Sequence, residues 1–276
     1  MIFLGTAGWK YNHWRGSFYS RHQSNDLEYY SRHSKLVEIN STFYRIPTEA
    51  TVRGWYHYTP DDFIFSAKLV RDITHSRDRM FNPETVEYFF NRLNQGLEDK
   101  FKTVLIQFPP RLKYSENSFT FLTSIIDECL IYFKGKIVVE IRDESWINDE
   151  FQKFLHSHQI SLARTTRFQI PENFASLPSL YYLRLLGDRK LIPDESLGQV
   201  FLDKQEALKE WVTKLVSLTS KYETIFVLIN NRFSGYAIND AITLSKALFQ
   251  ENINRTGFEQ SDKYLKHQMP LSDFFP

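Results

Sequence analysis

The sequence predicts a single α/β domain over residues 1–276, folded as a (β/α)8 barrel, and three observations support this fold class. Short β-branched or apolar runs alternate with longer amphipathic stretches along the chain. No segment rich in Pro, Gly or Ser divides the 276 residues, a length close to the about 250 residues of one such barrel. The apolar and aromatic fractions, 42% and 16%, supply a large core and exclude a disordered chain.

Eight runs have the length and composition of β-strands. They lie at residues 2–6, 36–40, 63–68, 103–108, 137–142, 160–164, 181–186 and 225–230. Helix-like stretches lie between most of them, and the clearest is 83–96, where Val86, Phe89 and Leu93 recur at helical spacing after Pro83. The other stretches are 27–33, 49–58, 118–133, 149–157, 203–221 and 239–249.

The connection between the sixth and seventh runs, residues 167–179, has weak helical periodicity and is expected to be mostly loop. An open, doubly wound sheet is the alternative to a barrel. Such a sheet favours a G-x-G-x-x-G turn after its first strand. Gly5 and Gly8 are present, but Trp9 follows and the spacing is missing, so the barrel is preferred.

Charged and amide side chains stand near the C-terminal ends of the predicted strands, where barrels of this type carry their active sites. Because side chains alternate along a strand, Glu38 shares a face with Asn40, and Glu140 with Arg142. The set expected to converge at one mouth is Glu38, Asn40, Lys68, Gln107, Glu140, Arg142, Arg184 and Asn230.

An isolated charge in a barrel interior costs several kcal/mol, so these groups should pair with one another. Two acids with three bases leave a net positive pocket, which predicts a small anionic ligand held by arginine forks. Lys68 beside Glu38 or Glu140 should have a shifted pKa and take part in proton transfer. The alternative is a belt of ion pairs that closes the barrel and binds nothing.

Other chemistry-bearing residues give weaker signals. His75 follows the third strand and could reach the mouth, although a solvated loop histidine is the alternative. The histidines show neither H-x-x-x-H nor H-E-x-x-H spacing, which argues against a metal site. Glu38 and Glu140 could hold a divalent cation, but three cationic side chains nearby make a poor site. We therefore expect no cofactor, with a divalent cation left open.

Aromatic residues follow the first, second and fifth predicted strands on loops at the same mouth. They are Trp9, Tyr11, Trp14, Phe43, Tyr44 and Trp146. Such a wall could stack a sugar face or a base, and Trp9, Tyr44 and Trp146 are taken as ligand-binding candidates. The alternative is a hydrophobic plug over the barrel.

Composition also bounds compartment and partners. Cys129 is the single cysteine, which excludes an intrachain disulfide, and no apolar run reaches the about 18 residues of a membrane span. The first residues lack the basic region of a signal peptide, so we expect a cytoplasmic protein without membrane contact. The oligomeric state is left open.

The motifs resemble those of the YecE-like family, also called domain of unknown function 72. They include GTAGW at 5–9, YNHWRGSFY at 11–19, EINSTFYR at 38–45, TP at 59–60, FSAK at 65–68 and ITH at 73–75. They continue with QFPP at 107–110, VEIRDESW at 139–146, YLR at 182–184, NN at 230–231, Gly235 and AINDA at 237–241. The resemblance covers nearly the whole chain and implies a TIM barrel, but it supplies no activity.

This sequence departs from the family pattern at two places. Family members usually carry histidine before the glycine that follows strand seven, and here Leu186 precedes Gly187. Many also carry aspartate after strand six, where this chain has Thr165 and Thr166. If either family residue takes part in chemistry, this chain is a divergent member.

The leading functional hypothesis is an enzyme acting on a small anionic, phosphorylated or sugar- or nucleotide-like substrate without a redox cofactor. Glu38 or Glu140 would be the general base and Lys68 the acid or electrostatic stabiliser. Hydrolysis, isomerisation and lyase chemistry all stay open. The alternatives are a protein that binds or processes nucleic acid, disfavoured by a net charge of +1 but kept open by the basic loop 71–79, and a ligand-sensing barrel without turnover.

Overall fold

The structure, a computed structural model, describes residues 1–258, and the end of the predicted domain, 259–276, lies outside the described part of the chain. All strands of these residues pair in parallel in one sheet. They are β1 (Ile2–Ala7), β2 (Leu36–Ile39), β3 (Ile64–Lys68), β4 (Phe101–Gln107), β5 (Lys136–Glu140), β6 (Ser161–Leu162), β7 (Arg164–Thr165), β8 (Tyr181–Leu185), β9 (Ile225–Ile229) and β10 (Arg255–Thr256). The strand order is β6-β5-β4-β3-β2-β1-β9-β8-β7, with β10 beside β1.

The sixth predicted strand is divided into two short strands, β6 and β7. They pair with different neighbours and so connect the two ends of the sheet. β6 pairs with β5 and β7 pairs with β8, while only Ala163 separates the two short strands. The backbone N–H of Ala163 donates to the carbonyl of Val139 at 2.8 Å, so the join stays hydrogen-bonded. The nine strands from β1 to β9 therefore form a nearly closed parallel barrel, which confirms the (β/α)8 fold class predicted from the sequence.

Helices follow most strands and cover the barrel. They are α1 (Asp26–Ser31), α2 (Glu49–His57), α3 (Arg71–Thr74), α4 (Pro83–Leu97), α5 (Glu116–Tyr132), α6 (Asp149–Ser157), α7 (Gln205–Leu218) and α8 (Ala237–Gln250). α4 begins where Asn82 accepts from the N–H of Glu84, and it buries Val86 and Phe89 on one face. No helix forms between β7 and β8, as the sequence predicts.

The barrel interior changes character along its axis. Its lower part is an apolar layer of buried side chains: Leu36, Leu105, Val138, Ala163, Leu180, Tyr182, Phe226 and Leu228. Because side chains alternate with period two, the next side chains that point into the barrel lie two residues further along each strand. Cys129 is buried in α5, and no helix of residues 1–258 is long and apolar enough to cross a membrane.

Candidate functional site

An ionic cluster lies on the apolar layer, at the C-terminal ends of the strands. Glu38 and Glu140 are fully buried there, on β2 and β5, and Arg184 of β8 lies between them with 3% exposure. Arg184 Nε and Nη2 donate to the two oxygens of Glu38 at 2.9 and 2.6 Å. Its Nη1 donates to Glu140 Oε2. One guanidinium thus joins carboxylates from distant strands.

Arg142 completes the cluster from the loop after β5. Its Nε donates to Glu140 Oε1 at 2.7 Å, and its Nη2 donates to Gln107 Oε1 at 3.0 Å. Tyr182 adds a hydrogen bond from its hydroxyl to Glu38 Oε2 at 2.9 Å. Two carboxylates and two guanidiniums therefore form a charge-balanced network in which every carboxylate oxygen has a donor.

These contacts shift the pKa values in the directions that stabilise charge. Burial alone would raise the pKa of Glu140, but the nearby Arg184 and Arg142 outweigh it and hold that pKa below its ordinary value. Burial opposes the charge of Arg184 as well, yet Glu38 and Glu140 raise its pKa. The sequence predicts Glu38 or Glu140 as a general base. The structure disfavours this role, because each carboxylate oxygen of both residues already accepts a hydrogen bond from an arginine.

Lys68, at the end of β3, is the exception in this cluster. Among the described residues, no hydrogen bond or ion pair reaches its Nζ, which lies 3.7 Å from the centre of the Phe43 ring. Burial, followed by the positive charge of Arg184, lowers the pKa of Lys68 to about 8. The expected direct pairing of Lys68 with a glutamate is therefore absent, and Glu140 and Glu38 act on its charge only from a longer distance.

A cavity of about 330 Å³ opens above the cluster. Of the residues proposed from the sequence, those that line it are Asn40, Tyr44, Lys68, Gln107, Arg142, Arg184 and Asn230. Glu38 and Glu140 lie beneath its floor, since their side chains are closed off from solvent. The strand-end set thus comes together as expected, but the acids face the arginines rather than the open space.

Three arginines that the sequence reasoning missed also line the cavity. Arg167, Arg189 and Arg232 stand on the loops that follow β7, β8 and β9. Arg167 pairs with Asp188 at 3.5 Å, and Arg189 pairs with Asp194 at 2.8 Å. Their position within a few residues of strand ends was a usable signal, but loop direction is not visible in the sequence.

Three residues proposed as ligand-binding do not line this cavity. Trp146 is buried, donates from Nε1 to the carbonyl of Leu112 at 2.7 Å and packs against Tyr114, so it belongs to the packing of the loop. His75 lies behind the Phe43 ring, 5.0 Å between ring centres. Burial and the charge of Lys68 lower the pKa of His75 to about 4. Trp9 lines a neighbouring cleft instead.

Of the two departures from the family pattern, one lines the cavity and the other is hydrogen-bonded to the first. Leu186 lines the cavity beside Gly187. The Thr166 hydroxyl donates a hydrogen bond to the carbonyl of Leu186 and accepts one from its N–H, both at 2.7 Å, which fixes this stretch of backbone. A Cβ on Gly187 would lie 1.4 Å from the carbonyl oxygen of Arg232, so the loops after β8 and β9 touch through their main chains.

The site lacks the ligand arrangement of a metal centre within the described residues. Within residues 1–258, no three side chains of the types His, Cys, Asp and Glu gather around a point that could hold an ion. Glu38 and Glu140 are separated by the Arg184 guanidinium, which occupies the oxygens that a hard cation would need. The charged side chains that line the cavity are arginines and a lysine rather than carboxylates.

Fold and site together define a (β/α)8-barrel protein with a closed ionic network beneath a basic cavity. The family described as "Protein of unknown function DUF72" matches residues 3–262 of the sequence. The chain belongs to this family, which confirms the resemblance to YecE-like proteins.

Curated relatives carry names without an activity. The UPF0759 protein YunF of Bacillus subtilis (strain 168) is 24% identical over 271 residues, covering 87% of this chain and 92% of the relative. The UPF0759 protein YecE of Escherichia coli (strain K12) is 32% identical over 94 residues, covering 34% of this chain and 33% of YecE.

Solved structures show the same fold. A DUF72 family protein of Thermotoga maritima MSB8 has a TM-score of 0.74 and 26% identity, covering 90% of this chain and 99% of that one. A DUF72 family protein of Enterococcus faecalis V583 has a TM-score of 0.73 and 21% identity, covering 92% and 96%. Together with the family match, these similarities establish the family and the fold of this chain. They do not indicate a reaction.

Proposed function

We propose that this protein is an enzyme that binds a small phosphorylated or carboxylated substrate in the basic cavity and exchanges a proton with it through Lys68. One observation carries the proposal: the network below is charge-balanced, while Lys68 faces the cavity as an ammonium group without a directly paired counter-ion among the described residues. A partly buried, unpaired charge is costly, and an anion in the cavity would neutralise it.

The remaining polar groups of the cavity suit such a ligand. Arg142 uses Nε and Nη2 within the network and has a side chain 25% exposed, so its fork also reaches the cavity. The side-chain oxygen of Gln107 accepts a hydrogen bond from Arg142, which leaves the amide N–H groups of Gln107 for the ligand. Asn230 likewise accepts from the N–H of Arg232 through its oxygen. These donors point to an anion bearing several acceptor oxygens.

Lys68 is the proton-transfer group in this proposal. General acid–base catalysis is most efficient when the pKa of the group lies near the working pH. The pKa of Lys68 is lowered to about 8 by burial and by Arg184, so both of its protonation states are populated near neutrality. Glu38 and Glu140 then serve as positioning residues that hold Arg184 and Arg142, which revises the base role expected from the sequence.

Sulfate titration tests the binding step, because sulfate keeps a constant charge between pH 6 and pH 10. Isothermal titration of the wild-type protein should show sulfate affinity falling as pH rises through 8, as Lys68 loses its proton. Lys68→Met should bind sulfate at least tenfold more weakly at pH 7 and lose this pH dependence. Lys153→Met, a change at an exposed lysine of α6, is the matched control and should bind like the wild type. Absent sulfate binding, or equal binding by Lys68→Met, would refute the proposal.

Nucleic acid binding is the second candidate, and the loop arginines Arg167, Arg189 and Arg232 around the cavity favour it. Asp188 and Asp194 pair with these arginines, however, which reduces the charge offered to a phosphate backbone. Binding that neutralises many phosphates weakens steeply with salt. A single-stranded oligonucleotide whose affinity falls more than about a hundredfold between 50 and 200 mM salt would favour this function. A shallow dependence favours a small ligand.

A further inference from the structure

A second and larger cleft, of about 710 Å³, adjoins the basic cavity. It lies between the loop after β1, the turn after β2 and the helix α2. Its apolar lining comes from aromatic rings: Trp9 and Trp55 meet edge to face at 5.4 Å between centres, and Tyr58 is 50% exposed. Volumes of 300–1,000 Å³ with aromatic walls and a few polar groups are typical of small-molecule sites.

The two spaces are neighbours, because Tyr11 and Asn40 line both. The Tyr11 ring packs on Trp14 at 4.7 Å and its hydroxyl donates to the Ala7 carbonyl, so this shared wall is fixed in place. A Cβ on Gly8 would lie 3.1 Å from the Tyr11 hydroxyl, and the glycine thus gives the ring its space.

Asn40 marks the junction chemically. Among the described residues, its side-chain amide makes no hydrogen bond, although the residue is half-buried between the two spaces. An amide offers both donors and an acceptor, which complement a hydroxyl group of a ligand. Lys10 and Arg45 line the cleft as well, while the one acid there, Asp26, is paired with Arg15 at 2.7 Å.

From this adjacency we infer that the ligand is bipartite and passes Asn40: a phosphate in the basic cavity, a hydroxylated link at Asn40 and a ring system against Trp55 and Tyr58. The ligand class is a nucleoside monophosphate or a sugar phosphate, which share a ring, hydroxyl groups and a phosphate. Aromatic side chains stack on bases and on sugar faces alike. This inference rests on the proposed function, because the cavity beside Lys68 must hold the phosphate.

The test compares three probes on the wild-type protein by calorimetry: inorganic phosphate, ribose 5-phosphate and adenosine 5′-monophosphate. At least one ester should bind tenfold or more tightly than phosphate. Trp55→Ala should lose this advantage while its affinity for phosphate stays unchanged. Because Trp55 is half-buried, Tyr58→Ala is a second variant that leaves the core intact, and it should lose at least threefold of the advantage. Trp211→Ala, at a half-buried tryptophan of α7 outside both spaces, is the matched control.

The outcomes separate the two proposals. Esters no tighter than phosphate, or an advantage that survives in both cleft variants, would overturn the bipartite ligand and leave the basic cavity standing. If neither phosphate nor either ester binds the wild-type protein, the proposed function itself fails. A preference for adenosine 5′-monophosphate over ribose 5-phosphate assigns a base to the cleft, and equal affinities assign a sugar.

Discussion

Two layers of the barrel interior differ in chemistry although the same strands build both. The lower layer holds Leu36, Leu105, Val138, Tyr182 and Leu228, which are buried and, except for the Tyr182 hydroxyl, apolar. Two residues further along those five strands stand Glu38, Gln107, Glu140, Arg184 and Asn230. A step of about 7 Å along each strand therefore changes an apolar core into an ionic network.

The difference shows what each layer needs in order to be stable. An apolar layer is stabilised by its buried apolar area and by close packing, so its residues can be exchanged for others of similar size. The ionic layer is stable only as a set, because Arg184 pairs with two buried carboxylates and is the one cationic partner of Glu38 among the described residues. Buried lower-layer contacts are also indifferent to pH, whereas the ionic layer responds to it.

The largest effect is expected from Arg184→Met, which leaves Glu38 buried without a cationic partner and Glu140 with Arg142 alone. The loss should be about 3–5 kcal/mol of unfolding free energy at pH 7.5. The loss should shrink at pH 5, because uncompensated buried carboxylates have raised pKa values and become neutral there. Urea denaturation at both pH values measures this. Arg189→Met, at an arginine 77% exposed, should match the wild type, and an equal loss at both pH values would contradict the ionic origin.

Leu105→Ala weakens the lower layer by removing apolar volume, whereas Arg184→Met weakens the ionic layer by removing a charge. Removing a fully buried leucine leaves a void and should cost about 3 kcal/mol. Since no charge is involved, the same loss is expected at pH 5 and pH 7.5 in urea denaturation. A cost that varied with pH would show that the two layers are coupled.

Lys68→Met should stabilise the protein, because it removes a partly buried ammonium group without a directly paired counter-ion. The gain should be about 2 kcal/mol at pH 6. The folded pKa of about 8 lies below the ordinary value of 10.5, so the wild type is penalised fully below pH 8 and progressively less toward pH 10.5. Thermal or urea unfolding should show a smaller gain at pH 10 than at pH 6. Destabilisation at pH 6 would mean that Lys68 has a partner in solution.

Tyr182→Phe is the mildest change, since it keeps the ring in the lower layer and removes a hydroxyl that is hydrogen-bonded to Glu38 and to Ser66. Its cost should be about 1–2 kcal/mol, because two hydrogen bonds are lost and one usually contributes about 1 kcal/mol. Tyr88→Phe, on the outer surface of α4, is the control and should cost less. A loss equal to that of Arg184→Met would show that the hydroxyl, rather than the guanidinium, organises the network.

Strand periodicity predicted much of the fold and the convergence of the ionic side chains. The alternation that places Glu38 and Asn40 on one face follows from backbone geometry alone. Partner choice does not follow from it: Lys68 was expected beside a glutamate, yet Arg184 takes both carboxylates because its fork can reach two at once.

Loops were harder to predict than strands. Trp9, Tyr44 and Trp146 all follow strands, but only Tyr44 reaches the cavity, since loop direction depends on tertiary packing. The short strand β10 was not expected either, because two residues carry no periodicity to detect.

Gly187 gives the entrance a property that side-chain exchange cannot alter. Main chain meets main chain there, since even one added carbon would lie 1.4 Å from the Arg232 carbonyl oxygen. The separation of the two loops at this point of the cavity wall is therefore set by their backbones. Moving these loops apart would require a change in loop length, because no side chain lies between the two main chains there.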